Sequence, residues 1–446
     1  MPLEPTNQHF SIDPEGKQVV DLTFASEALG LPAADGYGWA QFEFGDQIGQ
    51  TNRYIIARKL GWGMQSSTWL ARDSMSVYFN RRTENSDELT PHFDSDRKFV
   101  AVKALTGHAT DLHERAFIFE ADALRLVSQL PTPHCTQLLD QFMIPGKGSA
   151  GSHMCFVMPV YGGDVKMLVE AQKKVLPLPL VKRIVLHLLR GIAHAHERGI
   201  VHTDLKYDNI FFSTTMTPDD IEAWVTKEPS RRHAPEASHD GVVQAAVSQP
   251  LPMISEDEAM RATYLLADFG SAQPQGLPAN HKITSPPLRP PEVYLGAIWN
   301  KPADIWAFGC LGRARHLTTR GYVKSNIFEL VTSKHFFRYQ RNEKFGLDEK
   351  ENMLYQMLLH TQEDFRAEQL RVSPKAPEYF DGKCQLKKNP FMINWPIKAR
   401  FDELKVVSDE EATEIVKLME RCLRLDPANR STAAELLTDP WFSGVE

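Results

Sequence analysis

No run in this sequence approaches the roughly 18 consecutive apolar residues that a membrane span needs. The first residues, MPLEPTNQHF, lack both the basic start and the apolar stretch of a secretory signal. Cysteine is scarce: five residues, an odd number, with no CxxC pair, which argues against a disulfide framework or a structural zinc site. Cys155, Cys310 and Cys422 stand among apolar neighbours and read as packing residues. A reducing compartment, cytoplasm or nucleus, is the expected setting. A basic excess is missing too. The net charge is −7, and residues 1–50 carry eight acids against the single base Lys17, so the remainder is balanced. That gives no support to direct nucleic-acid binding. The first fifty residues read as an acidic, solvated and partly disordered arm.

What remains is a chain long enough for two or three domains, 42% hydrophobic and 24% charged, with aromatics enough for sizeable cores. From Arg53 to Leu70 it reads as two strands, RYIIARKL and STWLA, around Gly-Trp-Gly. A polar stretch over 74–96 reads as a loop ending at a third strand, Phe99–Lys103. Residues 111–130 carry Phe117, Leu124, Val127 and Leu130 at helical spacing, with Asp111 as the expected N-cap. HMCFVM, 153–158, is another strand candidate. Beyond Gly163 helical patterns dominate, beginning with an amphipathic helix over 180–199 that glycine closes. Residues 213–260, rich in Pro, Ser, Thr, Glu and Asp, read as an inserted, exposed segment, with PDDIEAWV as a short helix inside it. No internal repeat is visible.

The chemistry concentrates in a few patterns. Gly61-Trp62-Gly63 falls between two strands, so the helix that dinucleotide and P-loop motifs require is missing. A glycine hairpin of this kind brings backbone amides close to phosphates. Lys103 places a charge on an otherwise apolar strand, which calls for an anionic partner. Glu120 is the expected carboxylate beside it, with Glu114 as the alternative on the same helix. In His202-Thr-Asp204-Leu-Lys206-Tyr-Asp-Asn209, Asp204 can accept the proton of an incoming alcohol. Lys206 can neutralise charge on a transferred phosphoryl group. Asn209 offers a neutral oxygen to a hard cation such as Mg²⁺, and Asp268 of Asp268-Phe269-Gly270 a carboxylate.

HxDxKxxxN followed by DFG resembles the eukaryotic protein kinase superfamily, over about Arg53 to Phe442. Thr203 between His202 and Asp204, the run Lys-Leu-Gly-Trp-Gly over 59–63 with Ser66 in place of a third glycine, and Lys301-Pro-Ala-Asp-Ile-Trp306 are similar to the serine/arginine-protein kinase family. The resemblance implies an α+β, bilobal protein kinase fold: a small antiparallel β-sheet lobe with one helix, about 51–160, and a large mainly α-helical lobe, about 161–446. It implies an ATP pocket of Leu60, Gly61, Trp62, Gly63, Ser66, Ala101, Lys103, Glu120, Met158, Pro159 and Tyr161. It gives catalytic roles to Asp204 and Lys206, and Mg²⁺ ligation to Asn209 and Asp268. His202 and Phe269 would stack in an internal spine. Gly270 would turn the chain into an activation segment running from Asp268 to Glu292. Glu292 would pair with Arg430, Asp304 would hold the catalytic loop, and Thr284 or Ser285 would touch the substrate alcohol. The implied partner is a protein substrate, in the nearest family one rich in Arg-Ser; a monomer is assumed.

Two details stand apart. An arginine at position 203 would grip a phosphate on the activation loop, and Thr203 cannot. The apolar helix beginning at Asp304 is cut by residues 312–326, with Arg313, Arg315, Arg320 and Lys324 among them. Burying those charges is too costly. Either the segment loops out to solvent or its codons are an unspliced intron, and an impaired, kinase-like scaffold is the alternative function it raises. A small-molecule phosphotransferase is a third reading, disfavoured by the Glu292 and Arg430 motifs.

Overall fold

A computed structural model describes residues 10–12, 18–21, 24–75, 98–172, 176–276, 283–310 and 336–446. The chain divides into two units. A sheet unit holds Met1–Ser128, Thr136–Gly163 and Ser213–Ile254, and a helical unit holds Gln129–Cys135, Asp164–Phe212 and Ser255–Glu446.

The sheet unit is built on six antiparallel strands: β1 (Gln47–Ile48), β2 (Tyr54–Gly63), β3 (Ser66–Asp73), β4 (Phe99–Leu105), β5 (Asp140–Pro145) and β6 (Ser152–Met158). Their spatial order is β1-β2-β3-β4-β6-β5. β-branched and aromatic side chains suit the pleat. Tyr54, Ile56, Trp69, Val100, Val102 and Val157 line one face and form its core with Phe42 and Phe142.

The structure departs from several expectations here. The helix over 111–130 is two helices, α1 (Gly107–Glu114) and α2 (Glu120–Ser128), so the small lobe does not have one helix. Ala116 at φ 59 breaks the spiral between them, and Phe117 and Leu130 lie exposed instead of on the apolar face. Thr106, not Asp111, caps α1, its hydroxyl accepting from the Ala109 amide. The first fifty residues are not all a solvated arm: Glu27, Ala28, Leu29, Trp39, Ala40 and Phe42 are buried. Nor is the segment 213–260 exposed throughout. Its helix Pro218–Lys227, started by a Thr217–Asp220 capping box, buries Ile221 and Trp224 against Leu70, Phe99 and Leu251. Val243, Ala245 and Ala246 are buried as well. Residues 213–254 therefore belong with the sheet unit, and a boundary drawn at 160 misses them.

In the helical unit, Leu178–Glu197 is a 20-residue helix whose apolar stripe is buried along its length. It ends before Gly199, whose φ of +72 reverses the chain. Strands Ile210–Ser213 and Tyr264–Leu266 pair antiparallel, Ile210 opposite Leu266. Helix Pro302–Gly309 is buried from Ala303 onward, and Trp306 stacks on Phe337 at 5.8 Å. Gly309 lies so close to helix Asp409–Cys422 that an added Cβ would stand 2.5 Å from the Cys422 Cβ. The expected interruption at 312–326 lies outside the described residues, as does the loop 74–96 apart from Ser74 and Met75. Among the described residues no helix is long and apolar enough to cross a membrane.

Candidate active site

Within the sheet unit, β2 and β3 join in a hairpin with Gly61, Trp62 and Gly63 opposite Thr68, Ser67 and Ser66. A Cβ on Gly61 or Gly63 would meet nothing within 4 Å, and neither residue has a positive φ. Neither packing nor backbone conformation demands these glycines. They leave open space beside backbone amides, the arrangement an anionic ligand needs.

On β4, Lys103 is the one position that is not buried. Its Nζ forms an ion pair with Glu120, the first residue of α2, and only 4% of the Glu120 side chain is exposed. Glu114 is exposed on α1, so the alternative partner falls away. Ala101 sits opposite Met158 across β4 and β6. Thr136 Oγ1 lies 3.6 Å from Met158 Sδ and donates to the Tyr161 hydroxyl at 3.2 Å, flanking the Pro159 link between them. Leu60 and Val160 pack on the Leu70, Phe99, Ile221 and Trp224 cluster.

Within the helical unit, the loop 202–209 follows the short strand Ile200–Val201. Asp304, fully buried, accepts from the His202 amide at 2.7 Å and the Thr203 amide at 2.8 Å, and from His196 Nε2 at 2.9 Å. Burial opposes its charge, but these hydrogen bonds and the neighbouring histidines outweigh burial and hold the carboxyl below its usual range. Thr203 adopts φ 66, and its hydroxyl donates to the Ser271 carbonyl at 2.7 Å. Asp204 faces Lys206 Nζ at 2.8 Å and lies 3.2 Å from Asn209 Nδ2. Burial alone would lower the Lys206 pKa; Asp204, with Asp208 and Asp268, raises it instead, so the ammonium is firmly charged.

Antiparallel pairing brings Asn209 and Asp268 to the same end of their two strands, tied by the Ala267 amide on the Asn209 carbonyl at 2.9 Å. Asn209 commits its amide nitrogen to Asp204, which directs its oxygen the other way. An amide oxygen and a carboxylate make a hard donor pair that fits Mg²⁺, which completes its shell with water and phosphate. Asp268 has φ 57, and its carboxylate lies 3.4 Å from the Gly270 amide. Phe269 meets His202 edge-on at 5.1 Å, and His202 Nε2 bonds the Ala267 carbonyl at 2.9 Å.

Further along, Glu292 and Arg430 form a buried two-pronged pair, both contacts at 2.7 Å. Arg430 also donates to the carbonyls of Arg424 and Pro302, so the pair has the extra hydrogen bonds that a desolvated charge needs. Thr284 sits at φ 54 with its hydroxyl on the Ile283 carbonyl, while Ser285 Oγ is buried and has no partner among the described residues.

Several residues in these contacts were not singled out from sequence. Arg289 donates to the carbonyls of Ile283 and Thr284 at 3.0 and 3.1 Å, bracing the segment before Glu292. A charge inside the proline-rich run PPLRPPE was the available signal. His196 orients Asp304, and two histidines in AHAHERG gave no means of choosing it.

The family described as "Protein kinase domain" matches residues 92–223 and 253–442. Similar proteins include the serine/threonine-protein kinase SRPK of Physarum polycephalum, 24% identical over 411 residues, covering 88% of this chain and 87% of that one. The protein kinase dsk1 of Schizosaccharomyces pombe is 22% identical over 530 aligned positions, 98% of this chain and 89% of its own. The serine/threonine-protein kinase AFC1 of Arabidopsis thaliana is 25% identical over 426 residues, 92% of this chain and 74% of its own.

Proposed function

The chain belongs to the protein kinase family and is a serine/threonine protein kinase of the type its SRPK and AFC relatives represent; from that premise we propose that it transfers the γ-phosphoryl group of Mg-ATP to hydroxyls of Arg-Ser-rich splicing proteins. The observation that carries the chemistry is the loop in which Asp204, Lys206 and Asn209 converge, with Asp204 2.8 Å from Lys206 Nζ. Asp204 would accept the proton of the serine hydroxyl and aim its oxygen. Lys206, kept charged by the surrounding carboxylates, would stabilise negative charge on the phosphoryl oxygens. Asn209 and Asp268 would hold Mg²⁺, which when bound screens the phosphate charges. The glycine hairpin and Lys103, held by Glu120, would position the nucleotide. The substrate class follows from the likeness of the 59–63 and 301–306 motifs and of Thr203, and the cytoplasm or nucleus is the proposed setting.

The test of substrate class is a comparison of peptides. Purified protein with Mg-ATP is expected to label an Arg-Ser repeat peptide at least about tenfold faster, by kcat/KM, than a neutral serine peptide, which corresponds to about 1.4 kcal/mol of discrimination. Equal labelling of the two would remove the Arg-Ser class and leave the kinase.

A further inference from the structure

Within the sheet unit, three segments far apart in sequence meet at the glycine hairpin. Lys59, two residues before Gly61, is fully buried; its ammonium pairs with buried Glu27 and also reaches the Ala246 carbonyl at 3.3 Å. The Lys59 carbonyl accepts from the Gln249 amide at 2.9 Å. The first segment and the third are joined in turn, Ser238 Oγ donating to the Leu29 carbonyl and the Asp240 amide to that of Gly30. A buried ammonium persists only where such partners are fixed.

The contact to the hairpin itself comes from Trp39, which is 1% exposed. Its indole N–H donates to the Gly63 carbonyl at 3.1 Å, and its ring meets Trp62 edge-on at 6.2 Å. The two residues before it reach elsewhere. The Gly38 carbonyl accepts from the Gly107 amide at 2.7 Å, and that of Tyr37 from the His108 amide at 3.1 Å. These are amides of the first turn of α1, which have no partner inside the helix. The approach is close: a Cβ on Gly38, whose φ is +92, would stand 2.4 Å from the Ala150 carbonyl oxygen, and one on Gly107 would stand 1.8 Å from it. Three consecutive residues thus bind the glycine hairpin at one end and, at the other, the start of α1, which follows directly on the strand that carries Lys103. Residues 37–39 lie outside the part of the chain that the family match covers.

We propose that Trp39 is a positioning residue for nucleotide binding, holding Gly63 in a fixed relation to the start of α1 and so to Lys103 on the strand before it. The inference rests on the reading of the glycine hairpin as a phosphate-binding element. A hairpin fixed before the ligand arrives loses less freedom on binding.

The test uses the full chain and Trp39→Phe, which keeps a ring and removes the N–H. Mg-ATP affinity is measured directly with a fluorescent ATP analogue and as KM, beside kcat, KM for peptide and melting temperature. Phe42→Leu, in the sheet core against Trp69, is the control for general destabilisation. Trp39→Phe is expected to weaken Mg-ATP about 3- to 10-fold, the worth of one hydrogen bond, with kcat and peptide KM within about twofold. Phe42→Leu is expected to lower the melting temperature and leave Mg-ATP affinity alone. An unchanged affinity in Trp39→Phe overturns the proposal, and so does an equal loss in Phe42→Leu. If the unaltered chain bound no analogue, the phosphate-binding reading itself would fail, a different result from binding that ignores Trp39. Should Trp39→Phe not fold, hydrogen exchange on the unaltered chain decides: Mg-ADP must slow exchange at residues 37–39 and 107–108 together with the hairpin. Protection confined to the hairpin overturns the proposal.

Discussion

Thr203 is the residue at which this chain departs most from the usual kinase loop. Its hydroxyl is committed to the Ser271 carbonyl, and its backbone is held at a positive φ by the Asp304 carboxylate on its amide. An interaction within the chain thus occupies the position from which an arginine would reach for a loop phosphate. Arg289, bonded to the carbonyls of Ile283 and Thr284, braces the segment itself. Phosphatase treatment of the purified protein is therefore expected to leave its peptide-labelling rate within about twofold, since no cation at position 203 depends on a phosphate. Loss of activity after treatment would show that a phosphate is needed and that the brace does not suffice. At this scale much was legible in the sequence. Asp204, Lys206 and Asn209 stand at fixed spacings in one short stretch and Asp268 in another, so they can be picked out along the chain as candidates. Trp39, Arg289 and His196 act through partners 24, up to 6 and 108 positions away on no repeating pattern, and only the folded chain brings their contacts to light.

Among the elements, the helix Pro218–Lys227 carries the largest revision. Its existence was legible in PDDIEAWV after Thr217, but its setting was not, because the polar composition around it suggested solvent. Ile221 and Trp224, three apart, formed the apolar stripe that such a helix must bury somewhere. Trp224 packs against Leu70 and Phe99, with the Arg58 guanidinium 4.0 Å from its ring centre. Arg58 in turn donates to the Val225 and Glu228 carbonyls at the end of the helix. Trp224→Ala is expected to cost about 3 kcal/mol or more, measured by urea unfolding of the sheet unit, since it opens a cavity and removes the ring from a buried cation. A loss under about 1 kcal/mol would return the helix to the class of solvated insertions. The two helices over 107–128 differ from the single one expected for a related reason. Period alone joined two helices, and the break at Ala116 carries no glycine or proline to mark it.

Across the whole molecule, the order of the motifs pointed to a kinase before any contact was known, and the family match agrees. Composition misled where it was averaged. The acidic first fifty residues contain Glu27 and Trp39, one neutralising a buried lysine and the other bonded to the glycine hairpin, and neither is visible in a net charge. The Glu292–Arg430 pair marks the opposite case, a contact 138 positions long that two family motifs revealed together. Breaking it from one side would cost on the order of 3–5 kcal/mol, because a buried charge would be left alone. The central claim is phosphoryl transfer by the Asp204 loop, and one measurement bears on it most directly. Transfer of labelled γ-phosphate from Mg-ATP to a serine peptide is followed for the unaltered chain and for Asp204→Ala, with nucleotide affinity measured on both. The unaltered chain is expected to label the peptide, and the variant to lose at least about a hundredfold in kcat while binding Mg-ATP as before. Equal rates for the two, or ATP binding without transfer by the unaltered chain, would contradict the account and leave a kinase-like scaffold in its place.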